Sequence, residues 1–215
     1  MSKGTIAYVA ASVRQKLLNR ARSDLRPFNE LLQYYAMERF LYRLSCSRYA
    51  DRFILKGALM LRVWSEDDYR STMDIDMLGR TSNDQTAIEA QVREIIGQNV
   101  PDDGLVFHAD TIQSATITEH ADYNGVRVRF QGSLDSARIA MQIDIGFGDI
   151  VYPAPELLVY PTFLEQPAPR LLCYSRESAI AEKFEAMMSL RDLNSRMQHS
   201  YIPTSARLLE TGYFF

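Results

Sequence analysis

The stretch Met73-Asp74-Ile75-Asp76-Met77-Leu78 places two carboxylates two residues apart in an apolar segment. The alternation predicts a short strand, and side chains two apart on a strand point to the same side. Asp74 and Asp76 would then share one face, with the apolar side chains on the other. Because the two carboxylates repel each other unless a cation or a proton lies between them, the stretch predicts an oxygen-rich site that suits Mg²⁺ and phosphates. A helix cap or a solvated acidic pair is the alternative interpretation.

A strand followed by a Lys-Gly turn lies upstream of this pair. The segment Phe53-Ile54-Leu55-Lys56-Gly57-Ala58-Leu59-Met60-Leu61 predicts a short apolar strand, a turn and the start of an apolar helix. The first N–H groups of such a helix attract anions, Gly57 would let a phosphate approach, and Lys56 adds a positive charge. An ordinary strand-to-helix connection is the alternative, and this fragment taken alone favours it.

A third carboxylate, Asp144, is predicted on another strand. In the segment 138–147 the odd positions from 139 to 145 are all apolar, which leaves Asp144 on the opposite face. Burying an isolated carboxylate is costly, so Asp144 should have a partner. It could join Asp74 and Asp76 at a metal, or it could form a salt bridge with an arginine.

Four blocks, taken in order, resemble one protein family. They are the Lys56-Gly57 turn, Arg70-Ser71-Thr72-Met73-Asp74-Ile75-Asp76, Gln142-Ile143-Asp144-Ile145-Gly146-Phe147-Gly148-Asp149, and Glu182-Lys183-Phe184-Glu185-Ala186. Together they resemble the AbiEii/AbiGii toxin family of nucleotidyltransferases over about residues 28–197. The resemblance implies an α/β (α+β) nucleotidyltransferase-like fold, with a mixed sheet flanked by helices and a helical N-terminal segment.

The resemblance also implies a reaction and its partners. Members with a known acceptor transfer a nucleotide from an NTP to tRNA and act as toxins of toxin–antitoxin or abortive-infection systems, so an antitoxin protein is an expected partner. Two Mg²⁺ ions are expected between the carboxylates and the NTP phosphates. The residues that the resemblance assigns are the metal ligands Asp74, Asp76 and Asp144, the nucleotide-binding residues Lys56, Gly57, Arg70 and Thr72, and the catalytic, phosphate-contacting Lys183.

Spacing alone leaves another interpretation for Lys183, which could be a solvated neighbour of Glu182 or Glu185. Similarly, Arg127 and Arg129 share one face of a predicted strand. They could pair with the acidic edge, with phosphate, or in surface salt bridges, of which surface salt bridges are the simplest.

The C-terminal segment departs from the family pattern. Members continue with a Lys-Asp-x-Tyr-Asp block and a helical domain, whereas Gln198-His199-Ser200-Tyr201 stands at that place here. We therefore expect a truncated or divergent C-terminus, with the chain divided into a helical segment 1–50, a nucleotidyltransferase core 51–197 and a tail 198–215. The alternative function is a catalytically impaired nucleotide-binding or antitoxin-partner module.

Composition fits a globular chain without choosing among functions. The chain has 215 residues, of which 47% are hydrophobic, enough for a sizeable core. No apolar run approaches the roughly 20 residues that span a bilayer, and no leader pattern is present, so we expect a cytoplasmic protein with no membrane partner.

Charge is distributed unevenly along the chain. The net charge is −3, yet the first 50 residues hold nine Lys or Arg against three Asp or Glu. The segment 13–22 predicts a basic amphipathic helix, and residues 28–35 predict a second helix that begins after Pro27. These helices could form an RNA-facing arm. They could equally pack on the core and show a solvated basic face, which is the simpler interpretation.

Overall fold

The computed structural model describes residues 3–64, 72–118 and 124–190. The helices are α1 (Lys3–Ser23), α2 (Phe28–Ser45), α3 (Leu61–Trp64), α4 (Gln85–Ile96) and α5 (Arg176–Leu190), with a 3-10 turn at Gly57–Met60. The strands are β1 (Phe53–Lys56), β2 (Ile75–Gly79), β3 (Leu105–Thr118), β4 (Asn124–Leu134), β5 (Ala137–Phe147), β6 (Glu156–Val159) and β7 (Arg170–Cys173).

The strands form one mixed sheet in the order β3-β4-β5-β2-β1-β7-β6. β2 runs parallel to β5, and β1 runs parallel to β7, while the other neighbouring strands are antiparallel. The predicted α/β class with a mixed sheet is confirmed. The parallel pairing of β2 and β5 sets the carboxylate-bearing strands side by side at the centre of the sheet.

One face of the sheet carries the main hydrophobic core. Ile143 and Ile145 of β5 are each 1% exposed, and they belong to the same buried cluster as residues of α1, α2 and α4. The apolar positions predicted for β5 are therefore confirmed, because alternate residues of a strand share a face. Fully burying one such side chain contributes roughly 1.5–3 kcal/mol.

The N-terminal helices are part of this core. Val13 and Leu17 of α1 are buried, and most of α2 is buried as well, from Leu31 to Leu44. Lys16 and Arg20 remain on the exposed side of α1. The packing interpretation of the basic helices is thus confirmed, and an RNA-binding role for their exposed face stays a prediction.

α4 shows how sequence signals define an element beside the sheet. Asp84 caps its N-terminus, where the side chain Oδ1 accepts a hydrogen bond of 2.8 Å from the backbone N–H of Ala87. Ile88 and Val92, four residues apart, are buried on one side. Within the described ranges, no helix is both long and apolar enough to cross a membrane.

The chain divides into two compact units, residues 1–175 and residues 176–215. The first unit contains the helical segment 1–50 together with all seven strands, and the second contains α5. The boundaries expected at 50 and 197 stay predictions. The tail 198–215 lies outside the described residues, so its divergence stays a prediction.

Two buried acid–base clusters lie between α2 and the rest of the first unit. Arg43 donates to both oxygens of Asp103, with Nη1–Oδ2 at 2.6 Å and Nη2–Oδ1 at 3.0 Å. Glu38 Oε1 lies 2.8 Å from Arg39 Nη2, and its Oε2 accepts a 2.7 Å hydrogen bond from the backbone N–H of Phe163. Burial raises the pKa of Glu38 to about 7, because desolvation outweighs the nearby guanidinium.

Candidate functional site

Four charged residues form a row across four adjacent strands. Lys56 on β1 is paired in register with Asp76 on β2, Asp76 with Asp144 on β5, and Asp144 with Arg127 on β4. Residues directly opposite each other on neighbouring strands share a face, so these side chains lie on the same side of the sheet. The row reads positive, negative, negative, positive, and its face is opposite the one that packs in the main core.

Asp74 joins the two central carboxylates of this row. One carboxylate oxygen from each of Asp74, Asp76 and Asp144 lies within 4.8 Å of the others, and Asp144 is buried while the other two are half-buried. Asp74 itself precedes β2, which begins at Ile75. The expectation that residues 73–77 alternate along a strand is therefore wrong at its start, where Met73 is 61% exposed. The three carboxylates meet nevertheless, as predicted.

Thr72 holds Asp74 from the preceding segment. Its Oγ1 donates a 2.6 Å hydrogen bond to Asp74 Oδ1, and its backbone N–H donates to the hydroxyl of Tyr34 at 3.1 Å. The neighbouring α2 residue Gln33 donates to the carbonyl of Met73 at 3.3 Å. α2 therefore fixes the short segment that carries Asp74. A contact between Thr72 and nucleotide stays a prediction.

Gly57 leaves room for the Asp76 carboxylate. Its φ of +73° is one that other residues rarely adopt, and an added Cβ would lie 2.1 Å from Asp76 Oδ2. Only glycine fits this position without displacing a candidate metal ligand. The glycine therefore has a steric role at the carboxylates, while the phosphate approach expected for it stays a prediction.

Lys56 is held at the edge of the site by an acidic neighbour. Its Nζ donates to Asp149 Oδ2 at 3.2 Å, and the hydroxyl of Tyr174 donates to the same oxygen at 3.3 Å. The Lys56 side chain is only 11% exposed. Its positive charge therefore lies close to the carboxylates of the row. Binding of Lys56 to nucleotide stays a prediction.

Arg127 binds both oxygens of Asp144. The Nε–Oδ1 distance is 2.7 Å and the Nη2–Oδ2 distance is 2.6 Å, which is a bidentate, charge-assisted pair. Asp144 thus belongs to the carboxylate cluster and to an arginine salt bridge, which confirms the salt bridge, while its binding of a metal stays a prediction. Arg127 pairs with the acidic edge, whereas Arg129 Nε donates to the amide oxygen of Gln142 at 3.0 Å on the exposed surface.

The carboxylate cluster has the chemistry of a divalent-cation site. It offers oxygen atoms only, the ligands that Mg²⁺ prefers. Three carboxylates gathered this closely repel each other, and a cation among them removes that repulsion. Asp76 Oδ2 occupies the space that a Cβ of residue 57 would need, so glycine at this position leaves the carboxylate free to lie in the cluster. The residues present therefore fit a metal held by Asp74, Asp76 and Asp144.

Two expected site residues lie outside the described part of the first unit, which holds the cluster. Arg70 lies in the segment 65–71, outside the described residues. Lys183 is exposed on α5, which belongs to the second compact unit. Their roles in phosphate binding and catalysis stay predictions.

Sequence comparison assigns the family. The model of the family described as nucleotidyl transferase AbiEii toxin, type IV toxin–antitoxin system, matches residues 39–201. The chain belongs to the AbiEii family. The match includes every residue of the charged row and of the carboxylate cluster, and membership confirms the nucleotidyltransferase-like fold and the resemblance drawn from the four blocks.

Two solved structures share distant similarity with this AbiEii chain. The Helicobacter pylori protein JHP933 is 11% identical, with a TM-score of 0.42, over 72% of this chain and 55% of that one. A second H. pylori protein, described as a candidate nucleotidyltransferase, is 13% identical, with a TM-score of 0.41, over 71% and 56%. The chain thus spans little more than half the length of either. No curated protein matches it significantly.

The sequence of this AbiEii chain left the contacts of three residues around the site undecided. Tyr34 supports the Thr72 backbone, Asp149 holds Lys56, and Arg127 covers Asp144. Each acts across a large sequence separation, so its partner depends on strand register or helix packing. The alternation at residues 127 and 129 was the available signal for Arg127, and it left three pairings open.

Proposed function

We propose that this chain is a Mg²⁺-dependent nucleotidyltransferase toxin that transfers a nucleotide from an NTP to an RNA acceptor, with tRNA as the acceptor class. The observation that carries the proposal is the meeting of Asp74, Asp76 and Asp144 within 4.8 Å, with Asp76 and Asp144 on the parallel strands β2 and β5 and Asp74 just before β2. Family membership supports the same activity, because the matching family is described as nucleotidyl transferases.

The proposed chemistry needs few protein groups. An acceptor hydroxyl attacks the α-phosphorus of the NTP and releases its proton to solvent, the bond between this phosphorus and the oxygen that bridges to the β-phosphate breaks, and pyrophosphate departs. Bound Mg²⁺ supplies Lewis-acid polarisation of the phosphoryl group and offsets the charge on the leaving group. The protein contributes the position of its ligands: Thr72 holds Asp74 by a hydrogen bond, and Gly57 leaves room for the carboxylate of Asp76.

The positive charge of the row supports placement of the triphosphate beside β1. Lys56 stands at the end of β1, and Gly57 starts the turn that follows. A lysine next to carboxylate-bound metal attracts phosphate as a point charge. We propose that Lys56 exchanges its contact with Asp149 for the triphosphate when the NTP binds. Toxin action would then be restrained by an antitoxin partner, as the family description indicates.

Label transfer to RNA tests this proposal. Each of the four α-³²P-labelled NTPs is incubated with Mg²⁺, total tRNA and the wild type, Asp76→Asn or Asp51→Asn. Asp51 is an exposed aspartate just before β1 and provides a matched change of charge. We expect wild type and Asp51→Asn to label RNA with at least one NTP, and Asp76→Asn to lose about 10³-fold, which corresponds to about 4 kcal/mol of transition-state stabilisation.

Two results would contradict the proposal. Equal labelling by Asp76→Asn and wild type would refute the assigned site. No labelling by wild type with any NTP, and with total RNA in place of tRNA, would refute the transferase activity and favour a nucleotide-binding or antitoxin-partner module.

A further inference from the structure

The face of the sheet that carries the charged row continues along β4 and β5. Phe130 and Ile139, which point to the other side, are buried in the main core. Alternate residues of a strand share a face, so the strand register defines the outward positions, which we call the β4–β5 face. Its outward pairs are Arg127 with Asp144, Arg129 with Gln142, Gln131 with Ala140, and Ser133 with Arg138. The β4–β5 face therefore begins at the carboxylate cluster and leads away from it.

Positive charge dominates the β4–β5 face. Three of its eight residues are arginines, and Asp144 is its single acidic residue. Arg129 and Arg138 are exposed, and neither forms an ion pair within the described residues. Arginine presents several N–H donors in a planar fork, which matches the oxygens of a phosphate group. The face therefore complements the negative charge of a nucleic-acid backbone.

Hydrogen bonds connect the β4–β5 face to the carboxylates. Arg129 Nε donates to the side-chain oxygen of Gln142 at 3.0 Å, and Gln142 Nε2 lies 3.4 Å from Asp144 Oδ2. At about 3.3 Å per residue of a strand, Gln142 lies about 7 Å and Arg138 about 20 Å from Asp144 along β5. A phosphate chain that follows these residues would end at the cluster.

The uncharged residues of the β4–β5 face favour contacts to a backbone over contacts to bases. They are glutamines, a serine and an alanine, and none of the outward positions holds an aromatic ring on which a base could stack. Contacts to phosphates position a nucleic acid and carry no sequence information, so binding should tolerate different base sequences. β4 and β5 lie about 5 Å apart, so the face offers one track for a single strand.

We propose that the β4–β5 face binds the phosphate backbone of the acceptor RNA as a single strand, with Arg129 and Arg138 on its phosphates and its end at the carboxylate cluster. This inference rests on the proposed function, to which it adds the path of the acceptor. It assigns RNA binding to the sheet and not to α1, where Lys16 and Arg22 are exposed.

The salt dependence of RNA binding tests the inference without any turnover. Fluorescence anisotropy measures binding of a single-stranded RNA of mixed sequence, labelled at its 5′ end, without NTP and with EDTA. We expect Arg129→Gln/Arg138→Gln to bind about tenfold more weakly than wild type at about 50 mM salt. The slope of log K against log salt should become shallower by about 1.4, because each phosphate contact of a single strand contributes roughly 0.7.

Matched variants separate this effect from a general loss of charge. Lys16→Gln/Arg22→Gln removes two exposed positive charges from α1, and its RNA affinity should stay within about twofold of wild type. Arg129→Lys/Arg138→Lys keeps the charge and should stay within about threefold. The single variants Arg129→Gln and Arg138→Gln should each lower the slope by about 0.7, and thermal melting establishes that each protein is folded.

The inference is overturned if the folded glutamine variants bind RNA as tightly as wild type, if the α1 variant loses as much affinity, or if wild type does not bind the RNA. Unchanged RNA binding would leave the β4–β5 face to an acidic protein partner. Failure of the proposed function gives a different result. Wild type would then bind RNA through Arg129 and Arg138 and yet transfer no label from any NTP.

Discussion

Two arginine–aspartate pairs of similar geometry lie in different electrostatic surroundings. Arg43 and Asp103 are 6% and 5% exposed, and the second oxygen of Asp103 also accepts the backbone N–H of Leu105. Arg127 and Asp144 are 30% and 10% exposed, and two more carboxylates lie beside Asp144. One arginine faces one aspartate in the first pair, whereas carboxylates are gathered in the second. The difference separates a pair that stabilises the fold from a pair that belongs to the proposed cation site.

Breaking the buried pair should have the largest effect. Arg43→Gln leaves Asp103 buried without its bidentate partner, which costs about 3–5 kcal/mol of unfolding free energy. Urea denaturation followed by circular dichroism measures the loss. The matched variant Arg127→Gln should lose less, about 1 kcal/mol, because the arginine is more exposed and solvent screens its attraction to Asp144. Equal losses in both variants would remove the distinction between the pairs.

Substitutions of two glycines with the same φ distinguish an effect on the site from an effect on the core. Gly57 and Gly104 both have φ +73°. Gly57→Ala would place its Cβ against Asp76 Oδ2, and Gly104→Ala would place it 2.7 Å from the Cα of Ala10. We expect both to lose stability, by roughly 1–3 kcal/mol.

Only Gly57→Ala should also lose nucleotide transfer, by about 100-fold in the label-transfer assay at a temperature where both variants are folded. Gly104→Ala should keep its activity, since Gly104 contacts helix α1 and not the carboxylates. Equal loss of transfer in the two variants would show that backbone strain, and not the position of Asp76, accounts for the effect.

Burial of Glu38 destabilises its ionised carboxylate and makes the free energy of unfolding depend on pH. Its pKa of about 7 lies above the ordinary value of 4.5, so the folded state holds its proton more tightly than the unfolded state does. The resulting stability is present below pH 4.5 and is lost as the pH rises through 7. Relative to wild type, Glu38→Gln should therefore gain on the order of 2 kcal/mol between pH 5 and pH 8. Urea denaturation at both pH values measures the change, and a pH-independent difference would contradict it.

The hydroxyl of Thr72 should have the smallest effect. Thr72→Val removes the 2.6 Å hydrogen bond to Asp74 while keeping the size of the side chain. In a Mn²⁺ titration followed by electron paramagnetic resonance, we expect about a tenfold weaker affinity, equivalent to about 1.4 kcal/mol, because Asp74 is less well oriented. Thr72→Ser keeps the hydroxyl and should bind like wild type. A loss in the serine variant as large as in the valine variant would point to the methyl group.

The carboxylates of the site could be predicted from the sequence, whereas most of the residues that contact and orient them could not. The alternation of apolar and polar residues around Asp76 and Asp144 predicts the face of the strand on which each side chain lies, because side chains two apart point to the same side. The irregular start of β2 has no such periodicity, so Met73 was placed wrongly. The pairings of Arg127 with Asp144 and of Lys56 with Asp149 depend on strand register and on a later loop, which local pattern does not encode.

The fold showed the same division between local and long-range information. The strand, turn and helix at Gly57 and the capped helix after Asp84 follow from local signals. The burial of α1 and α2 against the sheet was one of two open interpretations, because a basic amphipathic helix fits a packed surface and an RNA contact equally well. Only the tertiary contacts of Leu17 and its neighbours show that the helices pack on the core.

Calorimetric titration of nucleotides tests the central claim, that the close carboxylates form a metal-dependent nucleotide site. Each of the four NTPs is titrated into wild type and Asp76→Asn, with Mg²⁺ and with EDTA. We predict that at least one NTP binds the wild type only when Mg²⁺ is present, and that Asp76→Asn abolishes this binding. Binding that is indifferent to both Mg²⁺ and Asp76, or no binding of any NTP to the folded wild type, would contradict the account.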